Sequence, residues 1–167
     1  DGVVFNRSDN PGEFFSRLEV PIIEEGGATQ VTPVDIVNGC AICIDLKVVQ
    51  KIGYIDDRYF LIHEESEYCL RAITAGFQCG ILPQGLVWHK GSSSFKRTGN
   101  WLQRYYGTRN LLLLLAMHRN VTGKSRGFLS TWVNYIKYVW YAYDTEIEDG
   151  SIEVAKSVAA GLSDGIL

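Results

Sequence analysis

The chain has 167 residues, 46% of them hydrophobic and 21% charged, which supplies one ordinary core and excludes a disordered chain or a mini-protein. Sixteen Lys and Arg against nineteen Asp and Glu leave a formal charge of -3, so a broad electrostatic grip on nucleic acid is not expected. The four cysteines are too few for a disulfide scaffold and stand in apolar runs, as reduced core thiols do in a reducing compartment.

Residues 1–33 are rich in Gly, Pro, Asn and Glu and read as loop with short extended pieces. Val34 to Ile44 is dense in β-branched and small apolar residues, the pattern of a buried strand interrupted at Gly39. Asp45 is placed to cap a short helix, Leu46 to Ile52, which Gly53 ends. Tyr54 to Ile62 reads as a turn followed by extended chain. The next helix carries Glu64, Glu65 and Glu67 in its first turn, Leu70 and Ile73 as core contacts and Gly76 as its stop. Phe77 to Leu82 and Leu86 to Trp88 read as short strands around Pro83-Gln84-Gly85, and strand, helix, strand in this order argues an α/β domain.

Beyond a polar break at 91–100 the chain turns helical. Trp101 to His118 is the first helix and holds the run Leu111 to Leu115. The second, from about Phe128 to Tyr143, sets Trp132, Tyr135, Ile136, Val139, Trp140 and Tyr143 on one stripe at helical spacing. The third, Ile152 to Leu162, is rich in small residues. The longest apolar run, Leu111 to Met117, falls well short of the ~20 residues of a membrane span.

The densest polar group is His63-Glu64-Glu65-Ser66-Glu67, where an apolar segment enters a helix. Carboxylates this close repel one another and raise at least one pKa towards the range useful to a general base. An acidic first turn that merely complements the helix dipole accounts for the same residues. Trp88-His89-Lys90 at a strand end admits a metal ligand, an acid/base or a structural histidine at His89. Cys40 and Cys43 form a C-x-x-C pair, but positions three apart in a strand face opposite sides, which disfavours zinc. Asn120-Val121-Thr122 is a glycosylation sequon without a secretory signal beside it.

Four segments together, VNGCAICI (37–44), IGYIDDRYFLIHEESEYCLRAITAGF (52–77), LPQGLVWHKGSSS (82–94) and YYGTRNLLLL (105–114), resemble the family 2 glycosyltransferases. They are most similar to the rhamnosyl- and galactofuranosyltransferase-like branch of bacterial surface-polysaccharide synthesis. The resemblance implies part of a GT-A domain, a Rossmann-like mixed α/β sheet, followed by C-terminal helices. Residues 1–118 would form the acceptor-side half of that domain and residues 119–167 a helical extension. It implies inverting transfer from a UDP- or dTDP-sugar to a polysaccharide or lipid-linked acceptor, with Mg or Mn as divalent cofactor.

By the same resemblance Glu65 stands at the catalytic base, with Glu64 as the acid before it and Glu67 as the third. Gly39, Asp57, Glu67 and Trp88 fall on the substrate side, and His89 falls on a histidine that helps ligate the metal. Arg71 and the Arg109-Asn110 pair match positions read as structural or supporting. Glu replaces the family's usual Asp at the base and at the third acidic position, which lengthens the reach by one methylene.

The donor half with its D-x-D motif is absent from these residues, and the chain opens on Asp1 rather than Met. The expectation is therefore a fragment, inactive alone, that works in the cytoplasm or at the inner face of a membrane. The aromatic stripe suits a lipid interface, a second copy, or packing within the chain. A carbohydrate-binding module that kept the scaffold without catalysis is the alternative. Glycoside hydrolysis fits poorly, because its two carboxyls must oppose each other across a sugar.

Overall fold

The structure is a computed structural model that describes residues 31–81, 100–118 and 128–166. Among them are two short strands, β1 (Thr32–Val34) and β2 (Cys79–Ile81), and five helices: α1 (Leu46–Ile52), α2 (Glu64–Thr74), α3 (Trp101–Met117), α4 (Phe128–Glu148) and α5 (Ile152–Ile166). The strands pair antiparallel, with Thr32 opposite Ile81 and Val34 opposite Cys79.

The expected strand over Val34 to Ile44 is corrected to three residues that end at Val34. Beyond them the chain turns at Asn38-Gly39-Cys40, where the Asn38 Oδ1 accepts from the Cys40 amide at 3.0 Å. This side-chain mimicry of a turn takes the backbone out of any ladder. The cysteine expectation changes with it: Cys69 is buried and Cys79 half-buried, but Cys40 and Cys43 are exposed. The described sheet has two strands only, and the expected strand Leu86 to Trp88 and the sequon at Asn120 lie outside the described residues.

The helices start and stop where their caps dictate. Asp45 Oδ1 accepts from the Lys47 amide at 2.8 Å at the start of α1, and Gly53 ends it at φ +79°. Gly76, at φ +92°, lets the chain leave α2, with its amide bonded to the Ile73 carbonyl at 3.0 Å. Two helices outrun their expected ends. α4 continues to Glu148 because Glu146 is held from the neighbouring helix by Arg104, Nε to Oε1 2.7 Å. α5 passes through Gly161 and Gly165 to Ile166, because both glycines serve contact with α3 rather than helix termination.

The core joins segments far apart in sequence: Tyr59 and Leu70 pack with Leu111, Leu112, Leu114 and Leu115 of α3 and with Tyr135 of α4. α5 lies closest to α3. A Cβ on Gly161 would fall well inside contact distance of the Tyr105 carbonyl oxygen, and one on Gly165 would lie 3.1 Å from the Arg109 carbonyl oxygen. Tyr105 Oη donates to Asp164 Oδ2 at 2.7 Å across the same seam. Among the described residues no helix is long and apolar enough to cross a membrane.

The aromatic stripe of α4 divides. Tyr135 is buried, and Trp132 and Val139 pack partly on the core, whereas Ile136, Trp140 and Tyr143 face outward. The six positions form a stripe broader than one neighbouring groove covers, so the core takes one flank and leaves the other exposed.

Candidate active site

The acidic cluster is delivered by a backbone that side chains rarely adopt. Ile62 and His63 lie at φ +66° and +70°, the left-handed region, where a β-branched residue is a genuine outlier. Two such residues in succession cost on the order of 1–3 kcal/mol each, so surrounding contacts must hold them. Asn110 of α3, fully buried, does so: its Nδ2 donates to the Leu61 carbonyl at 2.7 Å and to the Ile62 carbonyl at 2.8 Å. Arg109 Nη1 donates to the Arg58 carbonyl at 2.8 Å and to Asn110 Oδ1 at 2.7 Å, so one pair of neighbouring residues clamps the whole entry to α2.

α2 then opens with Glu64 and Glu65. Burial pushes the Glu65 carboxyl above its ordinary value of 4.5 and the neighbouring charge of Glu64 adds to this, while its own amide and Ser66 pull the other way. Gly39 lies against this carboxyl, since a Cβ there would stand 3.3 Å from both Cγ and Oε2 of Glu65. The resemblance puts Gly39 on the substrate side, and among the described residues its close neighbour is the Glu65 side chain. Glu64 Oε2 is buried and has no hydrogen-bond partner among the described residues. A buried carboxylate oxygen left so is costly unless something outside these residues meets it. Desolvation lowers the His63 pKa to about 4, so its imidazole is neutral at pH 7.

Glu67 is differently placed from its neighbours. It is 1% exposed and faces inward, gripped by Arg71 through Nε to Oε1 and Nη2 to Oε2, both 2.9 Å. His118 Nε2 lies 3.4 Å from the same Oε1. Burial alone would raise the Glu67 carboxyl, but His118 and Arg71 outweigh it and hold it below its ordinary range. The same guanidinium donates to the carbonyls of Ile52 and Tyr54, tying the end of α1 to α2. Glu67 therefore sits in an internal ion pair, away from the face that carries Glu65.

Asp57 is exposed on the turn that Asp56 organises, and its carboxylate makes no hydrogen bond with another described residue. Trp88 and His89 lie outside the described residues. Among the described residues no three His, Cys, Asp or Glu side chains converge to hold a metal ion. The described part of the site thus brings Gly39, Glu64 and Glu65 together beside a neutral His63, and gives no cation a seat of its own. The left-handed pair has no signature in the sequence, whereas the Arg109-Asn110 pair, which the resemblance reads as structural or supporting, is what holds it.

Similarity to characterised proteins is confined to part of the chain. The low-salt glycan biosynthesis hexosyltransferase of Haloferax volcanii is 32% identical over 73 residues, 43% of this chain. The match covers 24% of that relative, so the chain spans a minor part of its length. No family model matches, and no solved structure matches.

Proposed function

We propose that these residues belong to an inverting glycosyltransferase of family 2 with a GT-A fold, acting in glycan synthesis, and that they carry its general base. The similarity to a hexosyltransferase supports a role in sugar transfer. The observation that carries the mechanistic reading is the Glu65 carboxyl: raised by burial, set at the start of α2, and approached closely by the backbone at Gly39.

In this reading an acceptor hydroxyl attacks the anomeric carbon of a UDP- or dTDP-sugar while Glu65 takes its proton. The new C–O bond forms as the bond to the departing nucleoside diphosphate breaks, and the configuration inverts. A carboxyl pKa above the ordinary glutamate value makes Glu65 a better proton acceptor than an exposed glutamate. Glu64 sustains that basicity by its charge, and its buried oxygen is available to a second hydroxyl of the acceptor. Asp57 and Trp88 are assigned to the acceptor side. Glu67 holds α2 in place rather than touching sugar. A divalent cation, Mg or Mn, would be held through His89 and would stabilise charge on the departing diphosphate. The acceptor is a polysaccharide or lipid-linked glycan, met at the cytoplasmic face of a membrane.

The test is Glu65→Gln in the full-length enzyme. Transfer should fall by about 100- to 10,000-fold, the range for loss of a general base, with nucleotide-sugar affinity nearly unchanged. Turnover equal to that of the unaltered protein would remove Glu65 from the mechanism. Glycan binding with no turnover in the unaltered full-length protein would identify a carbohydrate-binding module instead.

A further inference from the structure

The outward flank of α4 has an order that its packing inside the chain does not require. Val133, Ile136, Trp140, Tyr143 and Ile147 follow one another at spacings of three, four, three and four residues. All are exposed, Ile136 by 62% and Trp140 by 69%. Alternate three- and four-residue spacing over two heptads is the seam of a paired helix, and a patch of this kind on a monomer's surface marks an interface.

The flank identifies the partner. Lys137 and Asp144 follow Ile136 and Tyr143 directly, on the side of the seam away from the core, and both are exposed. Neither makes an ion pair with another described residue. In a parallel pair of identical helices these two positions do not meet each other. In an antiparallel pair they do, in one register: Trp140 of one copy lies against Tyr143 of the other, and Ile136 against Ile147. That register sets each Lys137 opposite the other copy's Asp144. The two-fold axis repeats every contact, so the surface is complementary to itself, as a closed dimer requires.

We infer that the full-length protein forms a two-fold dimer through antiparallel pairing of α4, with Trp140 and Tyr143 at its centre and two reciprocal Lys137–Asp144 ion pairs on its flank. This inference is independent of the proposed sugar transfer.

Sedimentation equilibrium of the full-length protein and its charge variants tests it. The unaltered protein should dimerise. Lys137→Glu and Asp144→Lys should each weaken the dimer by about tenfold or more, since each replaces two attractions by two repulsions. An equimolar mixture of the two single variants should form a heterodimer tighter than either homodimer, and the double variant should recover the original affinity. Both side chains are exposed, and circular dichroism checks that each variant is folded. A monomer up to the solubility limit, single variants that dimerise as well as the parent, or no recovery on mixing would each overturn the proposal. A monomer that instead floats with phosphatidylcholine and phosphatidylglycerol vesicles would assign the seam to lipid, and would overturn it too.

Discussion

Three glutamates within four residues have separate fates because their surroundings differ. Glu67 is buried against Arg71 and held ionised, whereas Glu65 is half-buried, meets no cation among the described residues and resists ionisation. A base works in its ionised form, so a raised value moves the loss of activity to higher pH. Transfer by the full-length enzyme should decline as pH falls through a value above 4.5, the ordinary glutamate value, and that acidic limb should vanish from the residual rate of Glu65→Gln. A limb at or below that value would argue that Glu65 is solvated like a surface glutamate. Asn110 acts at the same scale without touching substrate. Asn110→Ala strips two carbonyls of their donor in the buried clamp, at about 1–3 kcal/mol for each group left unsatisfied. The expected result is a lower midpoint in urea, with turnover falling further than nucleotide-sugar affinity as the Ile62-His63 backbone relaxes. The acidic first turn of α2 was legible in the sequence because it is a local feature, whereas Gly39, expected within a strand, stands in a turn against Glu65. The left-handed pair was not legible, because nothing in Leu61-Ile62-His63 itself calls for positive φ. Its cause lies in a side chain 48 residues further on.

At the scale of elements, legibility follows the range of the forces. α1 and α2 stand where Asp45, Gly53 and Gly76 mark their ends, because capping is settled within one turn of chain. The strand expected over Val34 to Ile44 failed for the opposite reason. β-branched residues favour extended backbone anywhere, but a strand needs a partner, and the partner of β1 lies at Cys79–Ile81. The Asn38 turn settles the segment locally before any such partner can claim it. Helix length was underestimated for α4 and α5, whose last turns are secured from α3 by Arg104 and Tyr105. The tightest of these contacts makes a sharp prediction. Gly161→Val would drive a branched side chain into the Tyr105 carbonyl and the Thr108 side chain, forcing α5 off α3. Overpacking of this kind costs about 1–3 kcal/mol, and thermal unfolding should show the loss directly. An unchanged midpoint would mean that the two helices separate at no cost.

For the molecule as a whole, the core draws on residues from both sides of position 118. Tyr135 of α4 is buried in the same cluster as Tyr59 and Leu70, and its hydroxyl donates to the Thr108 carbonyl at 3.2 Å. α4 is therefore a wall of the core, one of the roles its aromatic stripe allows, and the sequence does not choose among them because the same spacing suits a lipid interface or a second copy. The clamp on the acidic turn has a further consequence in time. Arg109 and Asn110 meet carbonyls 51, 49 and 48 residues earlier in the chain. During synthesis the turn before Glu64 emerges from the ribosome long before the side chains that fix it, so Glu65 has no settled position until α3 has been made and has docked. A nascent chain halted short of Asn110 would carry all three glutamates with no working arrangement among them.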